Sequence, residues 1–551
     1  MNGLSKKIIF VSRILLISLS LFFLVSFYIL TVNRIGHKLN NGPYEDFTLQ
    51  IASRILDGQK IYGEPNVEYV PPLYAPILFY LSALTVKLLD KSLPTIRLVS
   101  LISNLGILFF TLIIFKQVVS RKNYLVLGLS SLGLFYSCFQ FTGLWLDIAK
   151  VDAIFLLEMS IILYLTLKYL DNLKPSLIIL TALFSILLIY TKQSGLLFVF
   201  FFAFYIFFLQ KYSHLVLYII SCAIFFTSFS YYFYLREGIN FFTYNFVIPK
   251  THPFDLKLPL EEVKKLLPSI GIILIGIQLS LFQYKKSLFR FSKNPEFKKL
   301  RSKLEALRFF FSKKKTYLLL ITVLFFIVSY LGRSKGGAVE NSWLYFYYYS
   351  SILSVFMFEM FVCEYLKISN KLKYITTFLL ILSQFFLFRY NPFIIFENQK
   401  MLVQKESKFI ESYCALPQPI LYPDTAFYGD MFCNSSQTFF LMSAIDLLYY
   451  EPFFNQFSEN YSNAIKEKKF KTIFMFKDYS KENLDMLINF IQSESKLGKK
   501  LSLEQKNFLK SLELYRLVHD HYTKISEKDY TDAQKNVLDY RKAYSVYEAK
   551  N

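Results

Sequence analysis

Apolar runs of about twenty residues recur through the first 390 or so positions, and this recurrence constrains the fold more than any other feature of the chain. A helix of that length matches a hydrocarbon layer about 30 Å thick, and no soluble domain repeats such runs. The runs fall near 8–32, 73–89, 95–115, 124–142, 153–170, 175–191, 194–209, 214–234, 267–284, 316–331, 343–363 and 372–389. The hydrophobic fraction is 54%, above the average of about 45–50% for soluble domains. The sequence therefore specifies a polytopic α-helical membrane protein.

The first run follows Lys6 and Lys7 and lacks a small-residue cleavage site. It reads as a retained span, with Arg13 snorkelling near its cytoplasmic end. The net charge is +22, which belongs to loops facing anionic headgroups under the positive-inside rule, not to a nucleic-acid partner. If every run crossed, the basic loops 116–123, 168–174 and 285–315 would all face outward. If 73–89 instead stays at the surface or re-enters, they all face the cytoplasm. That segment opens with Pro71, Pro72 and Pro76 and closes with Lys87, Asp90 and Lys91. About eleven spans remain, with a cytoplasmic N-terminus and an outer face built from 33–94, 143–152, 191–194, 236–268, 332–342 and everything after 390.

Most of the unusual polar groups lie on that face. Residues 43–58 read as a surface helix, apolar face down, with Phe47, Ile51 and Ile55 at helical spacing, Pro43 at its start and Gly58 at its stop. Glu45 and Asp46 occupy its first turn, where free N–H groups favour negative charge. Gly143–Asp152 joins two spans and sets Lys150 between Asp147 and Asp152; Asp152 suits an N-cap. Lys192 and Gln193 sit in a tight outer turn, and Gly336, Gly337 and Asn341 in a flexible loop beside Arg333 and Lys335. Taken singly, each site reads as readily as a span cap or a turn. Together, acids and cations over an apolar body suit group transfer from a lipid phosphate. A carboxylate takes the proton of the attacking group, and a cation holds the phosphate as charge builds on it.

These pieces resemble the GT-C superfamily of polyprenyl-phosphate-sugar-dependent glycosyltransferases, which includes protein O-mannosyltransferases and lipid A aminoarabinose transferase. The resemblance rests on Tyr44, Glu45 and Asp46, on 52–62 and 69–74, on Arg97 opening the next span, on 145–152, on 191–193, and on Gly336, Gly337 and Asn341. It implies an inverting transfer with Glu45 or Asp46 as base and Asp147 or Asp152 as a second acidic site. It also implies that Lys192, with Gln193, Arg97 and Lys150, meets the donor phosphate. The family commonly carries an Asp-Glu or Asp-Asp pair where this chain has Glu-Asp. Some branches use a divalent cation such as Mg or Mn, and no metal ligands are assigned here. The implied partners are a polyprenyl-phosphate-linked sugar, the bilayer, and an extracytoplasmic lipid, glycan or protein acceptor. The implied location is a bacterial inner membrane.

Residues 1–392 form the membrane domain on this reading, with 33–94 as its first outer loop, and 393–551 an extracytoplasmic α/β domain. In the latter, strands are expected at 419–422, 471–476 and 541–547, and helices near 398–412, 437–449, 453–467, 480–494 and 502–517. Cys414 and Cys433 are its only cysteine pair, so an oxidising compartment would allow a disulfide. Two alternatives compete with the transferase. A lipid-linked-sugar flippase or transporter would tend to show inverted repeats and mid-membrane broken helices, and the sequence has no internal repeat. A glycan polymerase or ligase would share the lipid donor.

Overall fold

The computed structural model describes residues 3–42, 45–119, 123–264, 313–336 and 338–360. Beyond these it describes isolated positions between 372 and 382, then 410–411, 414–422, 433, 439–440, 450–476, 480–496, 503–528 and 544–550. Eleven labelled helices make up the membrane part. They are α1 (Gly3–Ile35), α2 (Glu45–Leu56), α3 (Ile77–Leu88), α4 (Leu93–Val118), α5 (Tyr124–Ser137), α6 (Val151–Asn172), α7 (Pro175–Thr191), α8 (Leu196–Phe208), α9 (Tyr212–Glu237), α10 (Lys314–Arg333) and α11 (Leu344–Met360). Among the described residues, five stretches are long and apolar enough to cross a membrane: Arg13–Ile35 within α1, and α4, α6, α9 and α10.

The helix ends follow from local chemistry. Ser92 caps α4 by accepting from the Thr95 N–H, with Pro94 in the first turn. Helix α3 has 12 residues, about 18 Å at 1.5 Å per residue, which is shorter than a hydrocarbon layer about 30 Å thick. Helix α5 stops at Ser137, short of the expected 142, because a 3₁₀ turn, Phe139–Thr142, leads to Gly143 and Leu144, both in the left-handed region. The expected spans at 267–284 and most of 372–389, and the boundary near 392, lie outside the described residues.

Helix α1 packs on α4 and α5, α4 on α6, α6 on α7, α7 on α8 and α9, and α10 on α11, which in turn packs on α5. Gly106 lets α4 close on α6, since a Cβ there would stand 2.6 Å from the Leu157 side chain. Large apolar side chains such as Phe10, Val25, Phe200, Phe204, Ile220 and Ile224 stay exposed on α1, α8 and α9, as lipid contact requires. The expectation for α2 needs correction. Residues 45–52 are all buried, because α2 packs on α3 and α4; it is embedded in protein and does not float on lipid.

The polar groups separate to two ends of the bundle. At one end Arg13 donates to Asn123 at 2.7 Å, and Lys314 pairs with Asp171 at 2.7 Å. Arg34 lies 21 residues beyond Arg13 in α1, roughly 32 Å away along the helix, and belongs to the other end.

The C-terminal part holds a five-stranded mixed sheet of β1 (Ile420–Tyr422), β2 (Phe439–Phe440), β3 (Thr472–Phe476), β4 (Tyr522–Lys528) and β5 (Tyr544–Ala549), in the order β2-β1-β3-β5-β4. Strands β1, β2 and β3 run parallel, whereas β5 is antiparallel to both β3 and β4. Helices α12 (Glu451–Lys466), α13 (Lys481–Lys496) and α14 (Leu503–His521) accompany the sheet, with α14 packed on α12 and α13. Strand β2 replaces part of the helix expected at 437–449, and β4 was not expected at all. Most of the expected helix at 398–412 lies outside the described residues. Cys414 and Cys433 form a disulfide. The C-terminal part meets the hook between α2 and α3 (residues 59–76), where Gln456 of α12 donates to Glu64 and Lys469, just past α12, pairs with Glu68.

Candidate active site

Arg97 organises the first of two clusters. It lies in the first turns of α4 and its side chain is wholly buried. Its Nε and Nη2 grip the two oxygens of Glu45 at 2.9 and 2.8 Å. Nη2 also donates to the Leu39 carbonyl at 2.6 Å, and Nη1 to those of Arg34, Ile35 and His37. The chain leaving α1 thus wraps the guanidinium as a collar. Glu45 accepts two further N–H groups, from Asn41 at 2.6 Å and Ala149 at 2.9 Å. Burial opposes its ionisation, but the Arg97 charge and these four donors outweigh that and hold the carboxyl below its ordinary range. Arg97 and Glu45 are thus paired with each other, each matching the other's charge inside the protein.

Asp46 is also buried, and it trades hydrogen bonds with Asn40. The Asn40 amide donates to Oδ1 at 2.8 Å, and the Asp46 N–H donates back at 3.0 Å, which caps the start of α2. Asp147 differs from both. Its Oδ1 lies 3.1 Å from Arg34 Nη1, yet neither carboxylate oxygen receives a well-aligned hydrogen bond among the described residues. Arg34 aims its hydrogens at the Leu144 and Asn41 carbonyls. Burial pushes the Asp147 carboxyl up to about 6; Arg34 lowers it and the Glu45 charge raises it.

The second cluster surrounds Asp152 at the start of α6. Its Oδ1 accepts from Lys192 at 3.1 Å and from the Tyr345 hydroxyl at 2.5 Å, and its Oδ2 from the Asn341 amide at 3.0 Å. Lys192 also donates to Tyr345 at 2.8 Å. The Lys192 side chain keeps 21% exposure while Asp152 keeps 2%, so the cation is the open member. Gln193 donates to the Leu73 carbonyl at 2.8 Å, which ties this turn to the hook. Lys150 stands 5.6 Å over the Tyr74 ring.

Asn341, Asp152 and Lys192 therefore converge as the sequence suggested. Gly336 does not join them: its N–H donates to the Pro253 carbonyl, and Arg333 grips Glu262 and the Ala338 carbonyl. That loop is pinned as a strap. Gly337 lies outside the described residues. Arg34, Asn40, Asn41 and Tyr345 were missed. Arg34 looks like any basic helix end and Tyr345 like one more aromatic in a tyrosine-rich span, so neither carried a signal. Among the described residues, no group of three or more His, Cys, Asp or Glu side chains is placed to hold a metal ion.

No protein-family model matches the chain, and no curated protein matches it. Solved structures do align with it. ArnT from Cupriavidus metallidurans bound to undecaprenyl phosphate covers 96% of this chain and 97% of its own, at 10% identity and a TM-score of 0.46. The apo state of the same protein gives the same coverage and identity at 0.47. The archaeal oligosaccharyltransferase AglB from Archaeoglobus fulgidus, in complex with an inhibitory peptide and a dolichol-phosphate, covers 85% of this chain and 71% of its own, at 12% identity and 0.44.

Proposed function

We propose that the chain is an integral-membrane inverting glycosyltransferase that moves a sugar from a polyprenyl-phosphate donor to an extracytoplasmic acceptor. The observation that carries this reading is the segment 147–152, which brings a buried carboxylate paired with Arg34 but without a well-aligned hydrogen bond, and a cation-bearing cluster, to one end of an apolar bundle. Lys192, partly exposed and held by Asp152 and Tyr345, meets the phosphate of the donor. The acceptor hydroxyl or amine attacks the anomeric carbon, the carbon–oxygen bond to the phosphate breaks, and polyprenyl phosphate leaves as the dianion. The acceptor's proton passes to Asp147, whose carboxyl near 6 suits a base working near neutrality. Asp46, bonded to Asn40, follows Glu45 directly, and the Glu45–Arg97 clasp fixes the start of the helix that carries both. The Cys414–Cys433 disulfide supports an oxidising, extracytoplasmic location for the C-terminal domain and hence for this end of the bundle.

The test is turnover with Asp147→Asn in reconstituted membranes, measured as polyprenyl phosphate released from a panel of polyprenyl-phosphate sugars. Losing a general base costs about 10²–10⁴-fold, so turnover falls by at least two decades while polyprenyl phosphate still binds. Full turnover by Asp147→Asn removes Asp147 as base. Unchanged polyprenyl phosphate binding by Lys192→Ala removes Lys192 from the phosphate site.

A further inference from the structure

Helix α6 contacts the 191–192 turn with two carboxylates, and only one of them belongs to the cluster described above. Glu158 lies six residues beyond Asp152, roughly 9 Å deeper along the helix. It is 6% exposed. Its Oε1 accepts the Thr191 hydroxyl at 2.9 Å, whereas its Oε2 has no hydrogen-bond partner and no cation pairs with it among the described residues. Thr191 is fully buried, ends α7 and is followed directly by Lys192.

Lys192 is extended, and its N–H still donates to the Leu188 carbonyl at 2.9 Å. The Gly195 N–H then donates to the Lys192 carbonyl, and Gly195 presses so closely that a Cβ would stand 2.7 Å from the Leu188 carbonyl carbon. The turn is therefore short and tight, and a rotation at Thr191 carries straight into Lys192. A carboxyl group at this depth is costly to bury, and what it does there is accept the Thr191 hydroxyl. Leaving one buried carboxyl oxygen unsatisfied is unfavourable, and a leucine here would avoid it.

We infer that Glu158 is a positioning residue: by holding the Thr191 hydroxyl it fixes the end of α7, so that Lys192 meets Asp152 and presents its ammonium group to a lipid phosphate. This inference rests on the reading of Lys192 as the donor-phosphate ligand. Asp152 orients Lys192 from its tip, and Glu158 from its backbone. Unlike a salt-bridge partner, Glu158 tolerates replacement by an uncharged acceptor.

The experiment measures the affinity of the full chain, in nanodiscs, for undecaprenyl phosphate without a sugar, together with thermal stability. Glu158→Leu and Thr191→Val weaken binding at least tenfold while leaving the melting temperature unchanged or higher. Glu158→Gln recovers most of the loss. Wild-type affinity in Glu158→Leu overturns the inference, and so does a Glu158→Gln variant as weak as Glu158→Leu, since a charge would then be required. A second readout separates this inference from the donor reading. Labelling of Lys192 by an amine reagent speeds up severalfold in Glu158→Leu if the turn is released. Unchanged labelling overturns the inference. If wild-type protein shows no affinity for the lipid phosphate, the donor reading fails, and faster labelling still supports the positioning role.

Discussion

Arg97 and Glu45 allow a quantitative test of how the site is held. Both side chains are fully buried, so replacing one leaves the other's charge unmatched, at a cost of about 3–5 kcal/mol. The two single changes are not equivalent. Glu45→Gln keeps one oxygen, so only one of the Asn41 and Ala149 N–H groups, which bond to different carboxylate oxygens, retains its acceptor. Arg97→Met keeps the aliphatic volume but strips a donor from four carbonyls, those of residues 34, 35, 37 and 39. Each of those left dry adds about 1–3 kcal/mol, so Arg97→Met is the more damaging variant. The double variant leaves no uncompensated charge and should be less destabilised than the sum of the singles by roughly 1–3 kcal/mol. Reversible unfolding in mixed micelles, run as a double-mutant cycle, measures this directly. High salt should leave the coupling nearly unchanged, because a dry pair is poorly screened. Additivity within about 0.5 kcal/mol would refute the clasp.

Three further outcomes follow from the geometry. Turnover should fall as pH drops below about 6, because Asp147, raised to about 6, then takes a proton from solvent and no longer accepts one; a flat profile between pH 5 and 7 contradicts its role. Glu45, held below its ordinary value of 4.5, contributes stability that is complete above that value and lost as pH falls through the depressed one. Acid unfolding of Glu45→Gln should therefore be less steep than that of the wild type. Gly195→Ala forces a methyl group against the Leu188 backbone and should destabilise by about 1–3 kcal/mol, with weaker lipid-phosphate binding; wild-type binding would show that the turn yields freely.

The sequence made the helical membrane architecture legible because long apolar runs such as those of α1, α4, α6, α9 and α10 are set by the thickness of the hydrocarbon layer. Asp152, Lys192 and Asn341 were legible as polar groups at span ends. What escaped was partnership. Glu45 reads as an exposed first-turn acid until Arg97, 52 positions later, closes on it, and no local pattern encodes that pairing. Asn40 was hidden because its capping of α2 runs through a loop. Strand β4 was missed because Tyr522–Lys528 alternates polar and apolar residues only weakly, and its pairing with β5 decides it.

The collar around Arg97 also bears on how the chain is made. An arginine entering the bilayer without partners is costly, by up to about 2.5–3.5 kcal/mol at a helix centre on insertion scales. Here the carbonyls of 34–39 and the Glu45 carboxylate precede Arg97 in the chain. The acceptors thus emerge from the ribosome before the charge they must cover, and α4 can insert with its guanidinium already dressed. Only the Ala149 N–H, which completes Glu45, arrives afterwards. Moving the arginine ahead of its acceptors, as a circular permutation between α3 and α4 would, should expose it to lipid during insertion and lower the yield of inserted protein before any effect on the finished fold.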